Sequence, residues 1–350
     1  MKLTIIIIVL FTSCLFLVQC QKEEIVITPA INFPAGDGFE LLSEYNFFKG
    51  KLSDLEPNIE AGVMPYDLIM PLFSDYALKK RFIYVPEGGS IPFDTSAVLK
   101  LPIGSILIKH FYFKNIDGSD QYIETRLMIR KIDGWFPEIY KWDEDHSDAR
   151  RTIIGGIVNI TADINGKNVM FPYSIPNQNQ CKNCHAFNGK IIPIGPTIHN
   201  LNRDYEYASG KANQLSKWES VGILEKIPSA NIPKWTTLND ENSSLHERAR
   251  AYLAINCSSC HRREGSAANS GLYLEYDNKD SLSLGFWKTP IAAGGGSGGF
   301  PYVINPGLAS ESILLYRMKA EAVDERMPEI GRVLLHEEGI DLIRDWIDAM

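Results

Sequence analysis

The chain between residues 46 and 165 alternates apolar and polar positions in short runs separated by turn residues. Residues 105–113 and 122–130 are two such runs, and the segment between them contains NIDGSD at 115–120. Period-two alternation on both sides of a glycine-containing turn is typical of a β-hairpin. A third run follows at 135–142. We therefore predict a β-rich domain over residues 46–165, either a sandwich or an open barrel.

The last hundred residues have helical spacing instead. Ser244 and Glu247 have the form of a capping box, which predicts a helix that starts there and runs to residue 257. Within residues 337–349, isoleucines recur at positions 340, 343 and 347, which is the spacing of one face of a helix. Residues 212–226 have a weaker helical pattern, and the polar, proline-containing stretch after them predicts a linker.

The first twenty residues have the pattern of a secretory signal. Lys2 is followed by an apolar run that is too short to span a membrane stably. The run ends in LVQC at 17–20, which resembles the lipobox of bacterial lipoproteins, although Gln19 replaces the small residue usual there. Cys14 is a second candidate. We expect a lipid anchor at Cys20, a tether over residues 21–45, and a location in the bacterial cell envelope, on the periplasmic face or the cell surface.

Composition limits the possible functions. The chain has 350 residues, 45% of them hydrophobic and 22% charged, which is ordinary for a globular protein with two or three domains. Its net charge of −8 argues against nucleic acid as a partner, because phosphate binding needs a basic face. An acidic surface is compatible with docking a basic redox partner protein.

Two copies of one pentapeptide pattern are the clearest indication of chemical function in the sequence. Residues 181–185 read CKNCH and residues 257–261 read CSSCH. Cys-x-x-Cys-His is the spacing of covalent haem attachment, in which the two thiols bond the porphyrin vinyl groups and the histidine binds the iron. The sequence therefore predicts two c-type haems, the first attached at Cys181 and Cys184 and the second at Cys257 and Cys260.

Other readings of these cysteines remain open. They are a zinc site made from both pairs, a redox dithiol, or two structural disulfides. A four-cysteine zinc ribbon usually places its pairs about 15–20 residues apart, which is much closer than the two motifs here. A redox dithiol needs neither two copies nor a histidine after each.

The segment 244–350 resembles a class I cytochrome c domain. A first helix would lead into the second motif and a last helix would cross it, so the resemblance implies an all-α domain. It also implies His261 as the proximal iron ligand and Met327, in RMPEIG at 326–331, as the distal one. Met318 is the alternative candidate for the distal ligand. The fold class expected for the whole chain is therefore α+β and multidomain, with a β-rich N-terminal body and an all-α C-terminal domain.

Residues 166–235 are expected to form the first haem-binding segment, with His185 as the proximal ligand. IGPTI at 194–198 resembles the Gly-Pro-x-Leu stretch of class I cytochromes, which implies that the Pro196 carbonyl orients His185. The sixth ligand of this iron is not fixed by the sequence. His199 is the nearest candidate downstream, and the others are Met170, Met128, His110 and His146.

Four further blocks extend the resemblance over residues 40–350. They are LSEYNFF at 42–48, PYDLIMPLFSDYA at 65–77, IETRL at 123–127 and NRD at 202–204. Together with both motifs, they are similar to an exported bacterial family of di-haem c-type cytochromes whose members are largely uncharacterised. The resemblance implies two covalent haems and an exported, often lipidated protein.

The sequence thus favours one-electron transfer in the cell envelope over catalysis. The alternative is a peroxidase-like or substrate-oxidising enzyme that uses an open first haem. A third hypothesis makes the β-rich body a carbohydrate-binding or partner-binding module.

Overall fold

A computed structural model describes residues 30–96, 98–229, 231–291 and 294–350. The predicted signal sequence, Cys14, Cys20 and residues 21–29 of the tether lie outside the described residues.

The described residues form fourteen strands and six α-helices, joined by turns and short 3-10 segments. The strands are β1 (Phe48–Lys49), β2 (Glu56–Pro57), β3 (Val63–Tyr66), β4 (Leu78–Tyr84), β5 (Ile106–Lys114), β6 (Asp120–Lys131), β7 (Gly134–Trp142), β8 (Ala149–Arg151), β9 (Gly156–Ile164), β10 (Lys167–Ile175), β11 (Ala186–Phe187), β12 (Lys190–Ile191), β13 (Asp204–Tyr207) and β14 (Gly210–Asn213). The helices are α1 (Gln178–His185), α2 (Ile198–Leu201), α3 (Gln214–Ser220), α4 (Leu245–Asn256), α5 (Ile313–Lys319) and α6 (Glu337–Asp348).

A six-stranded antiparallel meander, in the order β3-β4-β5-β6-β7-β8, is the central sheet. The predicted hairpin is confirmed, because β5 pairs with β6 in an antiparallel register from Ile106–Ile129 to Lys114–Asp120. The β-rich region extends past residue 165, since β9 and β10 form a further hairpin that ends at Ile175. The sequence pattern therefore identified this region correctly but ended it about ten residues early.

The two faces of the central sheet are covered differently. On one face, Ile106, Ile108 and Leu127 pack against the N-terminal segment that contains Leu42 and Tyr45. The opposite face is covered at one end by the β9–β10 hairpin, through residues such as Phe171, and at the other end by α2 and α3. Because strand side chains alternate between faces, this opposite face also presents Leu107, Lys109, Arg126 and Met128. A large cavity adjoins these four side chains.

The expected all-α, class I cytochrome c-like domain over residues 244–350 is wrong. Helices α4 and α6 form where the pattern placed them and pack together around Ile343 and Ile347. Between residues 257 and 336, however, the described chain adds only α5 and short 3-10 turns, together with isolated bridges such as Phe286–Ile304. This segment is rich in Gly, Pro, Ser and Asn, which favour turns over helix. The described structure is β-rich overall, with 27% strand and 22% helix.

Candidate cofactor site

The first Cys-x-x-Cys-His motif lies at the C-terminal end of α1. Asn177 caps this helix: its side chain accepts from the Gln180 N–H, and the Gln180 side chain accepts from the Asn177 N–H, each at 2.9 Å. Cys184 and His185 follow Cys181 by three and four residues, so the three side chains project from the same side of the helix. The capped helix thus presents two thiols and an imidazole together.

The imidazole of His185 is oriented by a backbone carbonyl. Its Nδ1 lies 2.7 Å from the Ile192 oxygen. Since a carbonyl can only accept, Nδ1 carries the proton and Nε2 keeps its lone pair. Burial lowers the pKa of His185 to about 4, although the hydrogen bond to Ile192 opposes the shift. The ring is therefore neutral at neutral pH, which is the form that binds metals.

The predicted role of Pro196 in orienting His185 is wrong. The Pro196 carbonyl accepts from the Leu99 N–H at 3.0 Å instead. The strands β11 and β12 form a small hairpin directly after the motif. This hairpin returns the chain to the helix end, where the Ile192 N–H donates to the His185 carbonyl at 2.9 Å. Ile192 is consequently the residue beside the ring.

The second motif begins where α4 ends, with Cys257 as the C-terminal cap. The Nδ1 of His261 lies 3.3 Å from Ser270 Oγ, and that hydroxyl donates to the Ala267 carbonyl at 2.7 Å. Because the hydroxyl proton is already used, Ser270 can only accept from His261, which again leaves Nε2 unprotonated. Burial, followed by the charge of Arg317, lowers the pKa of His261 to about 4.

The two motifs are in direct contact. Arg262 Nη2 donates to the Ala186 carbonyl at 3.4 Å. The side chains of Cys184 and Cys260 also interact, which raises the pKa of Cys184 and lowers that of Cys260. The guanidinium of Arg262 lies 4.4 Å from the centroid of the Phe187 ring, beside the first motif. Segments 76 residues apart in the sequence therefore form one structural unit.

A single cavity of about 900 Å³ opens beside this unit. All six cysteines and histidines of the two motifs line it, together with the sheet face and with residues from α4 to the start of α6. The motif residues on its wall are Cys181, Cys184, His185, Cys257, Cys260 and His261. The volume is near the upper end of the roughly 300–1,000 Å³ range of small-molecule sites.

Three methionines contribute to the cavity wall. They are Met327 and Met128, which the sequence analysis names as candidate iron ligands, and Met318, the alternative to Met327. Met327 lies on a loop and is partly exposed, whereas Met318 is 8% exposed and belongs to the core around α5 and α6. The side chain of Met327 is therefore not fixed by core packing, whereas that of Met318 is.

The structure does not bring His199, the proposed first distal ligand, into the cavity. Its ring lies parallel to that of Trp235, with 6.5 Å between the centroids. Met170 is 77% exposed on β10. His110 is buried on the other face of the central sheet, where Nδ1 lies 3.0 Å from Thr125 Oγ1, and His146 stacks on Tyr122. None of these four is among the described residues that line the cavity.

Two residues of the cavity wall were missed by the sequence reasoning. His336 lies just before α6, with Nδ1 3.1 Å from the Tyr252 hydroxyl and Nε2 3.8 Å from a Glu338 carboxylate oxygen. Arg332 is 4% exposed and holds the Met327 loop, because its Nε donates to the Met327 carbonyl at 3.0 Å. Its Nη2 donates to three more carbonyls, those of Arg317, Met318 and Ala320. The only sequence signal for Arg332 is its position a few residues after Met327.

The arrangement fits the requirements of covalently attached haem. Each motif offers two thiols and a neutral imidazole whose Nε2 is not protonated, and all of them border one cavity with apolar and cationic walls. Buried Arg332 Nη1 adds a donor that has no partner among the described residues. No cluster of three or more His, Cys, Asp or Glu side chains able to hold a metal ion occurs in the described part of the chain.

Comparison of the chain with protein-family models, curated proteins and solved structures gives no match. None of the helices within the described ranges combines the length and the apolar character needed to cross a bilayer.

Proposed function

We propose that the protein is a di-haem c-type cytochrome that transfers single electrons in the bacterial cell envelope. The observation that carries this proposal is the convergence of both Cys-x-x-Cys-His motifs on one cavity, with Cys184 and Cys260 in contact. Bound haem iron supplies one-electron chemistry by changing between its ferrous and ferric states. The resemblance to exported di-haem cytochromes supports the same function.

The chain's own groups have distinct roles in this proposal. The four cysteines would attach the two porphyrins, and His185 and His261 would bind the irons through Nε2. Ile192 and Ser270 keep these imidazoles in the required tautomer, which also increases their basicity as ligands. Met327 would be the distal ligand of the second iron and would raise its reduction potential, as histidine–methionine ligation does.

The proposed location rests on the sequence. Removal of residues 1–19 would leave an acylated Cys20 as the first residue, and the segment that follows it would hold the folded body at the membrane. A redox partner protein would donate or accept the electrons. Replacement of Cys20 by serine should release the protein from the membrane fraction without changing its haem content.

A potentiometric titration of the purified protein tests the function. The proposal predicts two reversible one-electron steps monitored at the visible haem bands. Exposure of the reduced protein to carbon monoxide separates the carrier from the enzyme alternative, because only an iron with an open or weakly held position binds it. Carbon monoxide binding at one haem would favour the enzyme alternative, and the absence of a reversible redox step would contradict electron transfer as the function.

A further inference from the structure

Three basic side chains form a row across the face of the central sheet that borders the cavity. Arg81 on β4 is directly opposite Lys109 on β5, and Lys109 is directly opposite Arg126 on β6. Side chains in such positions have Cβ atoms about 5 Å apart, and like charges there destabilise a sheet. The row therefore needs compensating negative charge.

The two outer residues of the row, Arg81 and Arg126, each have a negatively charged partner. Arg81 Nη1 lies 2.5 Å from Asp67 Oδ1. Arg126 forms a two-point ion pair with the fully buried Glu124, through Nε to Oε2 at 2.9 Å and Nη2 to Oε1 at 2.5 Å. Glu124 Oε1 also accepts from the Tyr173 hydroxyl at 2.7 Å. Asp67 Oδ2 accepts from Arg203 Nη1 at 2.9 Å, so both carboxylates already have partners other than Lys109.

Lys109, in the middle of the row, has no ion-pair or hydrogen-bond partner among the described residues. Its ammonium lies 5.0 Å from the centroid of the Phe111 ring. The Arg126 guanidinium lies 4.3 Å and the Lys79 ammonium 5.8 Å from the same centroid. Burial, followed by the charges of Arg126 and Arg81, lowers the pKa of Lys109 to about 7. A desolvated ammonium among other cations is unfavourable unless an anion approaches it.

We propose that Lys109 and Arg126 form a carboxylate-binding site in the wall of the cavity. Both residues line it. The ion pair with Glu124 occupies Arg126 Nε and Nη2 and leaves Nη1 available, so the site offers one guanidinium donor beside one ammonium. Two donors and the positive charge of protonated Lys109 match the two oxygens and single negative charge of a carboxylate.

The carboxylate can come from two sources. One is a propionate of a haem held in the cavity, in which case the inference rests on the proposed function. The other is a small free carboxylate that enters the cavity. Lys109→Met distinguishes the two, because it removes the charge while keeping an unbranched side chain and leaves the Arg126–Glu124 pair intact. Lys141→Met is the control, since Lys141 is an exposed lysine of the same sheet on β7, which β6 separates from β5.

The full-length mature protein and both variants are first compared for haem content and far-ultraviolet circular dichroism. Each is then titrated with sodium acetate against sodium chloride at equal ionic strength, with melting temperature as the measurement, and its midpoint potentials are recorded. A free-carboxylate site predicts a saturable, acetate-specific rise in melting temperature that Lys109→Met abolishes and Lys141→Met retains. A propionate site predicts no acetate effect and a lower midpoint potential for one haem in Lys109→Met alone.

If Lys109→Met behaves like Lys141→Met in both measurements, the proposed carboxylate site is contradicted. The proposal of two attached haems is not affected by that result. If the wild-type protein contains no haem, the proposed function fails, and the acetate titration still decides whether the site exists. The two failures are therefore distinguishable.

Discussion

Cys184 and Cys260 lie close enough for their side chains to interact, although they belong to different Cys-x-x-Cys-His motifs. Two porphyrins attached through these neighbouring sulfurs would have their edges close together. Rapid electron exchange between them would follow, because electron transfer between cofactors depends steeply on separation. The contact would therefore make the two proposed haems one redox unit.

The first prediction concerns this proximity. Two strongly absorbing chromophores held close together couple their electronic transitions, so the wild-type protein should show a split circular-dichroism signal in the Soret region. The double variant Cys181→Ala/Cys184→Ala should carry one haem and an unsplit signal. A wild-type spectrum equal to the sum of two single-haem variants would contradict the close arrangement.

The second prediction concerns Ser270. Its hydroxyl accepts from His261 Nδ1, and removal of the acceptor makes the imidazole a weaker electron donor to iron. Ser270→Ala should therefore raise the midpoint potential of one haem and leave the other unchanged. Ser281→Ala is the control, because Ser281 is an exposed serine in the same part of the chain. Equal potentials in the two variants would remove Ser270 from the proposed role.

The third prediction separates Met327 from Met318. Met327→Ala should abolish the weak methionine-to-iron absorption of the oxidised protein and lower one midpoint potential, with both haems still attached. Met318→Ala should keep that absorption but reduce the free energy of unfolding by about 2–5 kcal/mol, because it opens a cavity in the core. Spectra and urea unfolding of both variants decide the assignment. Survival of the absorption in Met327→Ala would transfer the ligand role elsewhere.

Some of this arrangement could be predicted from the sequence because its signals are local. The β5–β6 hairpin follows from alternation and turn residues, and α4 begins at the capping box of Ser244 and Glu247. The spacing within each motif likewise fixes which side chains project together. Such features depend on residues a few positions apart, where propensity and periodicity are informative.

The parts of the fold and of the site that the sequence did not predict depend on contacts between distant segments. The contact between Cys184 and Cys260 and the row of Arg81, Lys109 and Arg126 arise from tertiary packing and strand register. The assignment of His185's partner to Pro196 failed because the β11–β12 hairpin brings Ile192 closer. The all-α expectation failed because two correctly predicted helices at the ends of a segment do not determine the structure between them.

The fourth prediction concerns the start of α4, the helix that leads into the second motif. The Ser244 hydroxyl accepts from the Glu247 N–H at 3.2 Å, and the Glu247 carboxylate accepts from the Ser244 N–H at 2.9 Å. Ser244→Ala should reduce the free energy of unfolding by about 1 kcal/mol. Urea unfolding at neutral pH measures it, with Ser281→Ala as the control. A change no larger than that of the control would contradict a stabilising cap.

The same cap predicts a pH dependence. Hydrogen bonds from the Ser244 hydroxyl and N–H lower the pKa of Glu247 below its ordinary 4.5. A carboxyl whose pKa is lower in the folded state stabilises the fold above the unfolded pKa and loses this contribution as the pH falls through the folded value. The stability difference between wild type and Glu247→Gln should therefore shrink below about pH 4.5. A difference that stays constant down to pH 3 would contradict the charged cap.

The most direct test of the central claim is the intact mass of the denatured, correctly matured protein, combined with its haem absorption. The account predicts a chain that carries the added mass of two haems, and one haem in each variant that lacks both cysteines of a single motif. A colourless chain of unmodified mass, or one that binds zinc through its four thiols, would contradict it.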